Sequence, residues 1–177
     1  MPQTPLISVE LLCVGKLKGA NHTYLQDGFT QYAERLRPYC KLIVTELPDE
    51  KIKPSHTTQD IQALEGIRLL KYLDAHPAYV VVLTERAKAF TSLAFAEAFA
   101  QRHPGLNSLS QGKHSGERAH LIFVVGGATG LSDQVLARAD WCVSLSAMTF
   151  PHLMVRLLWA EQLFRAFRIL NHEPDHK

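Results

Sequence analysis

The chain is poor in cysteine and has no long apolar run. Its three cysteines, Cys13, Cys40 and Cys142, are odd in number and spread widely along 177 residues. This spacing predicts buried free thiols, because disulfide and metal-binding frameworks use paired or closely grouped cysteines. No apolar stretch approaches the roughly 20 residues that a membrane span needs. We therefore expect no disulfide, no metal site and no membrane segment.

Targeting signals and a strong charge bias are also missing. Residues 1–5 lack the basic start of a secretory signal, so a cytoplasmic location is expected. The formal net charge is only +2, with a sequence pI near 8.5. This weak positive balance permits an RNA partner but does not by itself indicate one. The length fits a single domain over residues 1–177.

Apolar runs and helical periodicity alternate along the chain. Strands are predicted at residues 6–14, 42–47, 79–84, 120–125 and 141–145, with helices at 25–36, 58–73 and 92–101 and from 152 onward. The β-branched run at 79–84 is typical of a strand covered on both faces. The alternation predicts an α/β fold with a mostly parallel sheet and helices on both faces. The polar stretch 105–118 is expected to be a flexible surface insertion.

Three strings resemble known site motifs but fail in their details. The string 105–114 resembles a phosphate loop, yet six residues separate its glycines and a histidine stands where Ser or Thr must bind magnesium. The string 126–130 follows a strand but is not G-x-G-x-x-G, which argues against a dehydrogenase. The string 172–176 is a literal H-E-x-x-H, but its interior proline would break the helical turn that a zinc site requires.

Two loops rich in small residues follow the last two predicted strands. The first is Gly126-Gly127-Ala128-Thr129-Gly130, and the second begins at Leu145 and ends at Phe150. If the two strands are neighbours, both loops meet at the carboxyl edge of the sheet and form a pocket lined by backbone groups. Such a pocket suits a nucleotide-like cofactor. The alternative for the glycine loop is a tight turn that needs only a positive φ.

The helix that begins near residue 152 carries two arginines on opposite sides. Arg156 and Arg165 are nine residues apart, which is half a turn in angle, so they cannot share a face. Glu161 and Arg165 form an i,i+4 pair of favourable orientation, which fits a solvated helix face equally well. One of the two arginines is expected to point towards the pocket or a partner subunit.

Together these strings resemble the ribosomal RNA large subunit methyltransferase H family. The resemblance is carried by Val125 to Ser132, by Leu145 to His152, by Val155-Arg156 and by Ala160 to Ala166. It extends more weakly to residues 9–15 and 80–83. Members of that family are small SPOUT enzymes that methylate N3 of a pseudouridine in large-subunit rRNA. The resemblance implies a C-terminal trefoil knot, a rare exception to the usual chain topology.

The resemblance also implies S-adenosylmethionine as cofactor and an obligate homodimer whose site is completed from the second subunit. The expected cofactor contacts are Leu83, Gly126, Gly127, Gly130, Leu145, Ser146, Ala147, Met148, Thr149 and Phe150. Three features depart from the family pattern. Ala128-Thr129 replaces a pair that often contains Pro-Glu, Asp175 stands where a tail tyrosine is usual, and the 105–118 insertion is longer than usual.

Methyl transfer to N3 needs a group that removes or compensates the imide proton. A base within hydrogen-bond reach, or a cation that stabilises the anion, would raise the rate. His152, His172, His176 and Asp175 are candidates for the base, and Arg156 or Arg165 for the cation. Two alternatives stay open, namely a SPOUT enzyme acting on tRNA and a non-catalytic RNA-binding module of the same fold.

Overall fold

The computed structural model describes residues 7–51, 53–102 and 119–174. Within these ranges the chain forms a sheet of five strands, all parallel, in the order β2-β1-β4-β3-β5. The strands are β1 (Ile7–Val14), β2 (Lys41–Leu47), β3 (Tyr79–Leu83), β4 (Ala119–Val125) and β5 (Trp141–Val143). The predicted α/β class and the parallel sheet are confirmed.

Helices cover both faces of this sheet, as the sequence predicted. They are α1 (Thr23–Leu36), α2 (Thr58–Ala75), α3 (Ser92–Gln101), α4 (Asp133–Arg138) and α5 (His152–Leu170), with a 3-10 turn at Ala20–His22. Helices α1, α3 and α5 pack on one face around Trp159 and Phe123, while α2 and α4 pack on the other around Leu69 and Val135. Both faces of the central strands are therefore buried in apolar side chains.

Side-chain caps begin three of the helices at the edge where the strands end. Thr57 and Asp60 form a capping box at the start of α2. Thr91 and Ser132 accept backbone N–H groups at the starts of α3 and α4. Because each cap satisfies N–H groups that the first helical turn leaves free, it fixes where the preceding loop must end. The residues at which these loops end at the carboxyl edge are thus fixed.

The sequence left open whether the last two strands are neighbours, and the strand order answers this. Strands β4 and β5 are not neighbours, because β3 lies between them and pairs with both. Strand β5 is also shorter than predicted and ends at Val143, after which Ser144 forms only an isolated bridge with Ala89. Periodicity finds strands but carries no information on their lateral order. The predicted 105–118 insertion lies outside the described residues.

The three cysteines are free, as expected. Cys13 and Cys40 are buried, and burial raises the pKa of each thiol to about 12. Among the described residues, no group of three or more His, Cys, Asp or Glu side chains could hold a metal ion. No helix in the same ranges is long and apolar enough to cross a membrane.

Candidate methyl-donor pocket at the carboxyl edge

A pocket opens at the carboxyl end of β3, between the two loops that the sequence singled out. Two adjoining cavities share Leu83, Thr84, Glu85, Phe150 and Val155 as lining residues. The first is completed by Ser144, Leu145, Ser146, Met148 and Thr149, and the second by Gln62, Arg86, Val125, Gly126, Thr129, Gly130, Leu131, Leu136 and His152. The loops therefore meet around β3, although their own strands do not touch.

Short hydrogen bonds fix the loop that runs from β5 into α5. The Ser144 hydroxyl donates to the carbonyl of Ser146 over 2.6 Å, and the backbone N–H of Met148 donates to Ser146 Oγ over 3.0 Å. The Ser144 N–H donates to the carbonyl of Lys88 over 3.1 Å. The last bond ties this loop to the loop after β3. Both walls of the pocket are thus held together by the backbone.

The glycine loop is closed in the same way on the other side. The Gly130 N–H donates to the carbonyl of Gly127 over 3.1 Å, and Gly130 has a φ of 84°, in the region that favours glycine. From α2, Gln62 Nε2 donates to the carbonyl of Thr129. The tight turn and the pocket wall are therefore one structure, and the two alternatives from the sequence do not exclude each other.

Gly127 is required for a reason that the sequence did not suggest. A Cβ atom at this position would lie 2.7 Å from Glu65 Oε2 and 3.2 Å from Val14 Cγ1. Glu65, on α2, is buried, and its Oε1 accepts the backbone N–H of Glu50 over 2.9 Å. Gly127 thus leaves room for a carboxylate of the same chain. Whether Gly127 also contacts the cofactor stays a prediction.

Eight of the ten expected cofactor residues line the pocket. They are Leu83, Gly126, Gly130, Leu145, Ser146, Met148, Thr149 and Phe150. Gly127 and Ala147 are not among the lining residues, although Gly127 follows the lining residue Gly126 and Ala147 lies between Ser146 and Met148, which both line the pocket. The lining combines apolar side chains with hydroxyl, amide and backbone groups, and this mixture suits a ligand that has both a nucleoside and a charged end.

Comparison with known proteins agrees with this geometry. A family model described as predicted SPOUT methyltransferase matches residues 7–176. A protein of Bifidobacterium animalis subsp. lactis named ribosomal RNA large subunit methyltransferase H is 39% identical, over 97% of this chain and 100% of its own length. Proteins of the same name from Clostridioides difficile and Symbiobacterium thermophilum are 37% and 42% identical, over 97% and 96% of this chain and 100% and 99% of their own lengths.

The chain belongs to the ribosomal RNA large subunit methyltransferase H family. Membership in a methyltransferase family implies a methyl donor of the S-adenosylmethionine type. The pocket residues include several that the sequence analysis did not select. Thr84 and Glu85 follow β3 and could have been found from their position after a buried strand. Gln62 lies on α2, where nothing local distinguishes it from other solvent-facing residues.

His152 is the candidate catalytic residue that borders the pocket. It is the first residue of α5, it is half-buried, and its Nε2 lies 4.0 Å from the position of a Cβ atom at Gly15. Burial and the neighbouring Arg156 lower its pKa, although Asp49 acts in the opposite sense. A lowered pKa favours the neutral imidazole near pH 7, which is the form that can accept a proton.

Arg156 is buried in contacts with its own subunit. Its side chain is 1% exposed, and its guanidinium donates to Glu46 Oε1 over 2.7 Å and to the carbonyls of Val14 and Gly15 over 3.1 and 2.9 Å. These bonds attach α5 to the ends of β1 and β2. Arg165 forms an ion pair with Glu161 over 2.6 Å, as the i,i+4 spacing predicted. Arg156 is thus engaged within its own subunit and does not line the pocket, while a contact with substrate stays a prediction.

His172 lies at the opposite end of the molecule from this pocket. It follows α5 with a φ of 55°, so the H-E-x-x-H string is not a helix at its first histidine. The next residue, Glu173, accepts a 2.6 Å hydrogen bond from the Tyr39 hydroxyl, beyond the amino end of the sheet. Burial and this carboxylate raise the pKa of Tyr39 to about 12. The other two tail candidates, Asp175 and His176, lie outside the described residues.

Proposed function

We propose that this protein transfers a methyl group from S-adenosylmethionine to N3 of a pseudouridine in 23S rRNA, on assembled ribosomes in the cytoplasm. The observation that carries this proposal is the pocket where loops 83–86, 126–131 and 144–150 converge, in a chain that aligns with its relatives along almost their whole length. The relatives are named for rRNA methylation. We infer the substrate and its modified atom from the family resemblance.

The residues around the pocket fit the two ends of S-adenosylmethionine. Leu83, Leu145 and Phe150 offer apolar surface to an adenine ring, and the surrounding loop backbone offers hydrogen-bonding groups to its edge. Glu85 is the acidic side chain among the lining residues, and it would face a ligand that carries a sulfonium and an ammonium charge. When bound, the cofactor supplies the electrophilic methyl group.

The protein's own contribution is positioning and proton removal. As the bond between N3 and the methyl carbon forms, the bond from that carbon to sulfur breaks, and the N3 proton must leave. We propose that the neutral imidazole of His152 accepts this proton, since its pKa is lowered and it lies beside Gly126 and Phe150 in the pocket wall. S-adenosylhomocysteine and a protonated His152 are the products of this step.

A homodimer is needed if the tail takes part in the reaction. Helix α5 has 19 residues and therefore spans about 27 Å between the pocket and the tail. His172 lies at that far end, next to the Glu173 that binds Tyr39, and is thus too distant to enter the pocket of its own subunit. We propose that His172 or His176 of one subunit completes the site of the other.

We also propose that the C-terminal segment forms the trefoil knot of the family and that residues 1–177 form one domain. The loops 126–132 and 144–151 lie beside the loop after β3, and the Ser144 N–H to Lys88 carbonyl bond joins two of them. If these loops form a knot, they cannot be separated from one another unless the C-terminal segment unfolds. Single-molecule extension from residues 79 and 170 tests this, since a knotted chain keeps a shorter contour after complete unfolding.

Methylation of defined RNA substrates tests the proposed reaction. Purified protein with labelled S-adenosylmethionine should modify 70S ribosomes but not free tRNA, and mass spectrometry of the digested rRNA should place one methyl group on a pseudouridine. A product on tRNA would favour a SPOUT enzyme with a different substrate. Cofactor binding without any methylated product would favour a non-catalytic RNA-binding module.

Mixed dimers test completion of the site from the second subunit. One subunit carries His152→Ala with an intact tail, and the other lacks residues 175–177 but has an intact pocket. Each homodimer should be inactive, while the mixed dimer should recover one working site out of two. No recovery in a mixed dimer that binds S-adenosylmethionine would exclude a contribution of the tail in trans.

A further inference from the structure

The five loops at the carboxyl edge of the sheet carry an uneven distribution of charge. They comprise residues 15–22, 48–57, 84–91, 126–132 and 144–151. Their sequences contain six lysines and arginines but three carboxylates. The cations are Lys16, Lys18, Lys51, Lys53, Arg86 and Lys88, and the acids are Asp49, Glu50 and Glu85. Loops 126–132 and 144–151, which line the pocket, contain no charged residue.

The strand order separates these cations into two groups. Loops 48–57 and 15–22 follow β2 and β1 and lie side by side at one end of the edge. The glycine loop after β4 comes next, and loop 84–91, with Arg86 and Lys88, follows on its other side. Neighbouring strands are about 4.8 Å apart, so the loops that directly adjoin the uncharged glycine loop on its two sides both carry cations.

Most of these cations are available to a ligand. All six side chains are exposed. Within the described ranges, Lys16, Lys18, Lys51 and Lys53 form no ion pair, whereas Arg86 approaches Asp133 at 3.3 Å in a pair whose side chains are 62% and 93% exposed. Glu50 is engaged by Arg68 over 2.5 Å. Of the three acids in these loops, only Asp49 and Glu85 therefore remain to offset the positive charge of the lysines.

We propose that these six residues, the basic rim, hold the phosphate backbone of the RNA substrate across the carboxyl edge, with the target base entering the pocket beside the uncharged glycine loop. This inference rests on the proposed function, because it assigns the surface through which the same substrate binds. Lysines act as point charges towards phosphate and tolerate any sequence. Their role is to hold the strand, while the pocket and the base determine where the methyl group goes.

A matched pair of double variants tests the basic rim. Lys16→Gln/Lys18→Gln removes two cations of the rim, and Lys41→Gln/Lys71→Gln removes two exposed lysines towards the amino edge. Both variants change the net charge equally. The measurements are the methylation rate against the concentration of 70S ribosomes at several salt concentrations, and the affinity for S-adenosylmethionine by calorimetry.

The rim variant should need about tenfold more ribosome for half-maximal rate, and the slope of log affinity against log salt should fall by about 1.5. Its cofactor affinity and the behaviour of the control should match those of the wild type. Equal ribosome and salt dependence in the two double variants would overturn the basic rim while leaving the proposed function intact. A wild-type protein that binds S-adenosylmethionine but methylates no ribosome would instead overturn the proposed function, and the rim with it.

Discussion

Arg156 and Glu46 form a 2.7 Å ion pair that joins the first turns of α5 to the end of β2. The same guanidinium donates to the carbonyls of Val14 and Gly15, so three chain segments converge on one buried side chain. The loop after β1 depends on this contact, because Glu46 Oε1 also accepts the backbone N–H of Leu17 over 2.7 Å. Arg156 therefore holds together the segments from which the wall of the site begins.

Arg156→Leu should lower the free energy of unfolding by about 3 kcal/mol, because Glu46 and two carbonyls lose their charged donor. Urea denaturation measures this loss. Arg138→Leu serves as a control, since its 3.8 Å pair with Asp74 is largely solvated and should contribute less than about 1 kcal/mol. A stable Arg156→Leu protein that has lost only methylation would restore a substrate role for this arginine.

Gly127→Ala should destabilise the protein by about 1–3 kcal/mol, because the new methyl group would lie against the carboxylate of Glu65. A double-mutant cycle with Glu65→Ala separates this contact from other effects. The cost of Gly127→Ala should be smaller in the Glu65→Ala background, with a coupling of about 1 kcal/mol or more. If the cost is the same in both backgrounds, the carboxylate is not what requires a glycine.

Glu65→Gln should change the pH dependence of stability. Desolvation raises the pKa of Glu65 above 4.5, and Oε2 has no hydrogen-bond partner among the described residues. Glu65 then holds its proton more tightly in the folded state than in the unfolded state. Its contribution to the stability of the folded protein is therefore complete below pH 4.5 and is lost as the pH rises through the folded-state pKa. Glutamine does not ionise and should keep the 2.9 Å bond from the Glu50 N–H.

Unfolding measured at pH 4.5 and pH 7.5 checks this sign. Relative to the wild type, Glu65→Gln should gain stability on going to the higher pH. A variant that loses stability towards neutral pH would indicate that the ionised carboxylate is stabilised in the folded protein by a partner.

His152→Ala should slow methylation by about 10² to 10⁴-fold, the range for loss of a general base, with little change in cofactor affinity. Since the pKa of His152 is below 6.5, the wild-type rate should be constant from pH 7 to 8 and should fall only in more acidic buffer. His76→Ala is the control, because His76 stacks on Tyr72 away from the pocket. If His152→Ala changes neither the methylation rate nor its fall in acidic buffer, His152 is not the base.

Local sequence patterns were sufficient for the layers of the fold. The apolar runs at 79–84 and 120–125 became β3 and β4. The two loops that form the pocket could also be predicted, because each follows a buried strand. The intervening position of β3 could not, since lateral order depends on contacts between residues far apart in sequence.

The tertiary contacts of two candidate residues could not be predicted from the sequence. Arg156 was a candidate for the cation, and its burial follows from the distant Glu46, 110 residues earlier. Gly127 was an expected cofactor contact, and the neighbour that leaves no space for a side chain there is Glu65 of α2. In both cases the partner is a charged residue with no local mark of burial, so sequence spacing alone gave no warning.

The length of α5 has a kinetic consequence. If the tail works in trans, a lone subunit holds only half of the site, and each new chain must meet a second before it can act. The rate per subunit would then fall in proportion to dilution once the concentration drops below the dimer dissociation constant. Ribosome modification would then follow second-order dependence on the amount of this protein, so a twofold drop in synthesis would reduce the output about fourfold.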